Sequence, residues 1–250
     1  ALSWAVLSLL LLGLWRCTTL GSRTTPGLEA CGGEVCTAGT VLDPAPGAPL
    51  LLLVSGRLDG APARLLLDTG TSATVLDAGW AERQGALARA RSVVGALNES
   101  FALQPLVPIH RLEAGGAVFT AFEAAAVDLA PVSEALGVEV AGILGWNVLG
   151  RSAVEVDFGA RRLSVDPAPG GVIARTVAAA AAPFELRVLG GGPFAEVAVG
   201  EASGRFLLDS GAAPTRIESS LAEQGGATDS RQAVRAVRDG MPDVDVREVA

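Results

Sequence analysis

The stretch Leu65-Leu66-Leu67-Asp68-Thr69-Gly70-Thr71-Ser72 ends an apolar run on a carboxylate and then turns through a hydroxyl and a glycine. It returns 141 residues later as Phe206-Leu207-Leu208-Asp209-Ser210-Gly211-Ala212, with Arg64 and Arg205 preceding the two copies in register. The same offset aligns Thr74 with Thr215, Leu76-Asp77 with Ile217-Glu218, Ala81-Glu82 with Ala222-Glu223 and Gly85-Ala86 with Gly226-Ala227. A register kept without a gap across strand, turn and helix predicts an internal duplication rather than coincidental turn chemistry. Two carboxylates in matched settings then predict a two-fold site. The competing reading, that Asp and Gly merely close strand ends where both are common, leaves the preserved offset without a cause.

Composition narrows the classes that such a site can serve. Half of the 250 residues are hydrophobic, enough to bury the core of one large domain or two small ones. Asp and Glu outnumber Lys and Arg by 27 to 19, so there is no basic footprint and no nucleic-acid partner is expected. His110 is the only histidine, and Cys31-Gly-Gly-Glu-Val-Cys36 has no second ligand pair, so neither a metal site nor any other cofactor is expected. No nucleophile elbow accompanies His110, which argues against a Ser-His or Cys-His mechanism. Its segment Val107-Pro108-Ile109-His110-Arg111-Leu112 reads as a half-exposed strand.

The first residues, Ala1 to Trp15, are a nearly unbroken apolar run followed by Arg16 and a polar segment. The run is shorter than the roughly 20 residues of a membrane span and suits the apolar region of an export signal. It lacks the basic flank and initiator Met of a complete signal, and an uncleaved membrane anchor is the other reading. Residues 1–20 are thus expected to direct export, to a periplasmic, extracellular or membrane-anchored location. Cys31 and Cys36 fit a small disulfide loop in the linker over 21–49, whose end, Asp43 to Pro49, is rich in Pro and Gly.

Order is expected from Leu50. Leu50 to Leu58 and Ala63 to Leu67 read as a hairpin around Asp59-Gly60, a strong turn signal that delivers Asp68 at a strand end. Ala73 to Leu76 reads as a short extended piece and Ala78 to Leu87 as a helix. Ser92 to Leu103 reads as a mobile hairpin with a polar tip, and Arg111 to Leu129 as another, turning at Glu113-Ala114-Gly115-Gly116. A helical stretch is expected around Val132 to Leu136. Gly142-Ile143-Leu144-Gly145-Trp146-Asn147-Val148-Leu149 reads as a buried strand whose glycines allow close backbone packing. Ala153 to Val165 closes the unit as a hairpin. The first unit is then 50–166, a connector covers 167–183, and the second unit, 184–250, contains no partner for Gly142-Ile143-Leu144-Gly145. If the repeat continues, such a partner is expected about 77 residues after Asp209.

Asp68-Thr69-Gly70-Thr71-Ser72 followed downstream by Gly142-Ile143-Leu144-Gly145 resembles the retropepsin-like aspartic proteases. The resemblance covers nearly everything after Leu50, and it rests on two motifs in the right order. It implies an all-β fold, here two tandem β-barrel units with short helices, the second incomplete. It implies that Asp68 and Asp209 are the catalytic pair. Thr69, Gly70, Thr71, Ser210 and Gly211 would support them, and Ile143, Leu144 and Gly145 would thread behind the first turn. Thr69 and Ser210 would bond across the two units, and Ser92 to Leu103, with Val94, Gly95, Leu97 and Phe101, would form a lid over an extended peptide or protein substrate. Because Thr71 follows the first glycine and Ala212 the second, Asp68 is expected to be the more acidic member.

The resemblance implies hydrolysis of peptide bonds by a water between the two carboxyls, with both halves in one chain as a pseudo-dimer. Two other arrangements are compatible with the residues: a homodimer that pairs Asp68 from two chains, and a noncatalytic peptide-binding module on the same fold.

Overall fold

Leu65, Leu66 and Leu67 are all wholly buried, which an amphipathic strand with one solvated face could not achieve. A strand covered on both faces reads as a continuous apolar run rather than an alternation, and the chain builds two layers of core around this one. The computed structural model describes residues 27–29, 40–46, 48–97, 100–114, 117–157, 159–166, 186–212, 215–226, 230–236 and 244–249. The apolar run at 1–15 and the cysteines at 17, 31 and 36 lie outside these residues. Among the described residues no helix is long and apolar enough to cross a membrane.

In chain order the first part comprises β1 (Gly27–Glu29), β2 (Thr40–Ala45), β3 (Ala48–Leu58), β4 (Ala61–Leu67), β5 (Val75–Asp77) and helix α1 (Ala78–Arg83). A 3-10 turn (Leu87–Arg89), β6 (Arg91–Leu97), β7 (Ser100–Ala114), β8 (Ala117–Val127), α2 (Ala130–Leu136), β9 (Gly142–Leu144), α3 (Trp146–Leu149), β10 (Ala153–Asp157) and β11 (Arg162–Asp166) follow. The strands run β10-β11-β2-β3-β4-β9-β5-β8-β7-β6, and a second pairing of β3 with β7 closes six of them into a barrel. The fold is mainly β, as the resemblance implies.

Closure depends on the turn between β3 and β4. Asp59 (φ 47°) and Gly60 (φ 87°) both take the left-handed conformation that a two-residue hairpin turn requires. The Asp59 carboxylate then accepts the backbone N–H groups of His110 and Arg111 on β7, each at 2.9 Å, and receives the Arg89 guanidinium at 2.8 Å. His110 is accordingly an exposed strand residue, as its setting suggested.

Leu65 and Leu67 enter the barrel core with Leu52, Val54, Phe119 and Phe122. Leu66 faces the other way and joins Leu51, Leu53, Val75 and Ile143 under α2. β9 fills the slot between β4 and β5, parallel to the first and antiparallel to the second, with all three residues buried. Gly145, just after it, has no room for a side chain: a Cβ there would lie 2.6 Å from the carbonyl carbon and oxygen of Ala73.

Three expectations are corrected. Asp43 to Pro49 is not a linker: β2 extends through the buried Ala45, and β3 begins at Ala48. The apolar segment after Gly142 is a strand only through Leu144, and Trp146–Leu149 turns into a helix because Gly145 ends the pairing and the next N–H groups bond back to the Asp68 turn. The helix expected over Ala78 to Leu87 stops at Arg83, where Gly85 (φ 66°) reverses the chain into the 3-10 turn.

The later part contains β12 (Arg187–Leu189), β13 (Gly192–Val199), β14 (Ala202–Leu207), α4 (Ser219–Gln224), β15 (Ser230–Ala236) and β16 (Val244–Val249). β12, β13 and β14 form one small sheet, and β15 pairs with β16. α4 begins and ends 141 residues after α1, and Gly226 (φ 78°) follows it as Gly85 follows α1. β14 differs from β4 in burial. Its Phe206 and Leu207 are half-buried, because among the described residues no strand takes the place beside β14 that β9 takes beside β4.

The tight seat of Gly145 makes Gly145→Ala a test of the β9 packing. The substitution is expected to cost about 1–3 kcal/mol of stability, read as a lower urea midpoint at unchanged slope. An unchanged midpoint would contradict the packing described.

Candidate active site

Asp68 is the first residue past β4, and its own N–H donates to the Leu144 carbonyl of β9 at 3.1 Å. The chain then folds over the carboxylate. Oδ1 accepts the N–H groups of Gly70 at 2.8 Å and Thr71 at 3.0 Å, and Oδ2 accepts the Thr71 hydroxyl at 2.7 Å. Asp68 is only 2% exposed and Thr71 is wholly buried. At the second turn the donors are fewer. Asp209 Oδ1 accepts Gly211 N–H at 2.8 Å, whereas the N–H of Ala212 goes to the Asp209 backbone carbonyl at 3.3 Å.

The two turns interlock. Thr69 Oγ1 donates to the Leu208 carbonyl at 2.5 Å and accepts the Ser210 N–H at 3.0 Å. Reciprocally, Ser210 Oγ donates to the Leu67 carbonyl at 3.1 Å and accepts the Thr69 N–H at 3.0 Å. Each carboxyl sits against the glycine of the opposite turn. A Cβ on Gly211 would fall 2.5 Å from the Asp68 carboxyl carbon, and one on Gly70 would fall 2.6 Å from either Asp209 carboxylate oxygen. Glycine is thus required at both places so that two acids can meet.

Ile143, Leu144 and Gly145 lie directly behind the Asp68 turn. Two residues not anticipated there complete the support, Thr74 and Asn147. Asn147 Oδ1 accepts the Thr74 N–H at 2.7 Å and its hydroxyl at 2.9 Å, while Thr74 Oγ1 accepts the Gly145 N–H at 3.2 Å. The N–H groups of Trp146 and Asn147 donate to the carbonyls of Thr71 and Ser72 at 2.7 and 3.1 Å. A lone amide inside the apolar run Gly142 to Leu149 was the available sequence signal. Asp77, whose carboxylate caps α1 at Trp80 N–H (2.7 Å) and also accepts Leu129 N–H (2.9 Å), ties the next strand to the same framework.

Val94, Gly95, Leu97 and Phe101 lie on the β6–β7 hairpin, where Val94 pairs with Leu103, Gly95 with Ala102 and Ala96 with Phe101. Only the backbone is described along this stretch. The base of the hairpin is fastened by Arg91, which grips Glu123 of β8 with two bonds of 2.7 Å and holds that carboxyl below its ordinary range. β7 continues well beyond the expected hairpin, to Ala114.

Burial and then the neighbouring Asp209 charge push the Asp68 carboxyl from an ordinary 3.8 up to about 7. The Thr71 hydroxyl and the Gly70 N–H oppose this and lose. The Thr71 hydrogen bond that was expected to acidify Asp68 is present, but desolvation outweighs it.

Residues 54–148 match the family model described as aspartyl protease. Through this segment the chain is similar to the aspartyl proteases. The matched span begins within β3 and ends within α3, so it contains Asp68, the hairpin and β9 together. A crystal structure of a retropepsin-like aspartic protease from Rickettsia conorii aligns at 14% identity and a TM-score of 0.35, covering 46% of this chain and 80% of that one. The comparison with curated proteins gives no match.

The raised Asp68 value fixes how stability of the protein should vary with pH. A carboxyl that ionises at 3.8 when unfolded and near 7 when folded favours the folded state fully below 3.8, and that contribution is lost as pH rises to about 7. Stability in urea should therefore fall between these limits by up to about 1.4 kcal/mol per pH unit from this group. Asp68→Asn should remove that component. Parallel pH profiles for parent and variant would refute the assignment.

Proposed function

We propose that this protein is an endopeptidase that hydrolyses peptide bonds with a water molecule held between Asp68 and Asp209. The observation that carries the reading is the reciprocal bonding of Thr69 and Ser210, which brings two turns of one chain together with each carboxyl against the other's glycine.

In this reading Asp68 keeps a proton up to about pH 7 and gives it to the carbonyl oxygen of the scissile bond. Asp209 takes a proton from the water as its oxygen bonds to the carbonyl carbon. The resulting diol collapses, the C–N bond breaks, and a proton passes from the pair to the leaving amine. Each carboxyl thus exchanges roles once per turnover, and no covalent enzyme intermediate forms. The substrate lies as an extended strand, where main-chain bonds supply affinity and alternate side chains supply selectivity. The β6–β7 hairpin is the segment we assign as its lid.

The matched bounds of α1 and α4, with the glycine that follows each, support a duplicated unit and hence a pseudo-dimer within one chain. The homodimeric arrangement, which pairs Asp68 with its copy in a second chain, would not use the Thr69–Ser210 bonds.

Peptide cleavage measured across pH 3 to 7.5 tests the reading. Asp68→Asn and Asp209→Asn are each expected to lower kcat by about a thousandfold or more. Activity that survives Asp209→Asn and grows with protein concentration would instead identify the homodimer. Peptide binding without cleavage by the parent chain would identify a binding module.

A further inference from the structure

Every polar group of Thr71 is engaged at the site. Its N–H and hydroxyl both donate to the Asp68 carboxylate, at 3.0 and 2.7 Å, and its carbonyl accepts the Trp146 N–H at 2.7 Å. The residue is wholly buried, so these three bonds fix its orientation, and its grip on Asp68 depends on what holds Trp146 in place. Trp146 opens α3, a single turn of four residues that would not persist by itself in water. The N-cap of α3, Gly145, makes no side-chain cap, so the first N–H groups of the helix, those of Trp146 and Asn147, depend on the carbonyls of Thr71 and Ser72.

What pins this turn is Asn147. Its Oδ1 accepts two donors of one residue, the Thr74 N–H at 2.7 Å and the Thr74 hydroxyl at 2.9 Å. Thr74 is wholly buried, and its hydroxyl oxygen also accepts the Gly145 N–H at 3.2 Å. The amide thus closes a ring of bonds around the Asp68 turn: Asn147 to Thr74, Thr74 to Gly145, and Trp146 and Asn147 back to Thr71 and Ser72. A residue without that oxygen would leave both Thr74 donors without the acceptor they share.

From this ring we propose that Asn147 is a positioning residue for the reaction: it acts on Asp68 through α3 and Thr71, and sets how firmly the Thr71 hydroxyl and N–H hold the carboxylate. The inference rests on the endopeptidase reading and deepens it. Among the described residues Asn147 makes no hydrogen bond to either carboxyl, so its effect on them is indirect.

Carbon-13 NMR titration of Asp68, together with peptide kinetics, tests this in Asn147→Ala and Asn147→Asp. Asp209 is the charged group that faces Asp68, and neither variant alters it. In Asn147→Ala a loosened Thr71 stabilises the ionised carboxyl less. The titration is then expected to rise by about half a pH unit or more, and kcat to fall about tenfold or more with KM within about twofold. Asn147→Asp keeps an acceptor oxygen for both Thr74 donors and is expected to bring kcat back to within about threefold of the parent. In a Thr71→Ala background, Asn147→Ala should move the titration by about half as much or less, because its route to Asp68 is already cut. Ser133→Ala, which removes the acceptor of the Val140 N–H at α2, controls for a general loss of stability. A lower urea midpoint in Asn147→Ala with the Asp68 titration unmoved, as in Ser133→Ala, would make Asn147 a structural tie only and overturn the proposal. If Asn147→Ala does not fold, Asn147→Ser carries the same comparison against Asn147→Asp. If no peptide is cleaved, the endopeptidase reading fails separately, and an Asp68 titration indifferent to these variants would then overturn the positioning role as well.

Discussion

Four hydrogen bonds made by Thr69 and Ser210, two to each other and two to the carbonyls of Leu208 and Leu67, hold this structure's two halves in the one relation that gives them a joint chemistry. Each hydroxyl donates to the carbonyl of the residue just before the opposite acid, and each accepts the opposite N–H. The bonds are made beside the buried Asp68 carboxyl and the half-buried Asp209, where a lost partner costs more than the bond itself gains in water. Everything that keeps these hydroxyls in place is therefore part of the site: β9 behind Asp68, Asn147 on Thr74, and the two glycines that allow the acids to approach.

The electrostatics follow from the same closeness. A carboxylate with three donors, alone on a surface, would be strongly acidic. Asp68 has those donors and is nonetheless pushed up to about 7, since burial removes the water that would stabilise its charge and Asp209 places a second negative group beside it. The arrangement costs stability at neutral pH and yields a carboxyl that holds a proton where ordinary Asp has lost it.

Much of this was legible in the residues. The repeat at a fixed offset pointed to Asp68 and Asp209 together, the Leu65-Leu66-Leu67 run to a strand ending on Asp68, and Asp59-Gly60 to a hairpin turn. These are local signals with one physical meaning. What escaped was set by tertiary contact. Trp146 to Leu149 reads as strand by composition but turns helical because the N–H groups of Trp146 and Asn147 find the carbonyls of Thr71 and Ser72. Pro44 and Pro49 suggested a linker, yet antiparallel pairing of Leu42, Asp43 and Pro44 with β3 overrides that local tendency. The sign of the Asp68 shift depended on burial, which the pattern of a six-residue turn does not contain.

The central claim is that Asp68 and Asp209 form one titrating pair within a single chain. Carbon-13 NMR titration of the Asp68 carboxyl tests it directly, in the parent and in Asp209→Asn. The account predicts an apparent value near 7 in the parent and a clear fall when the neighbouring charge is removed. A titration of Asp68 that is indifferent to Asp209→Asn would contradict it.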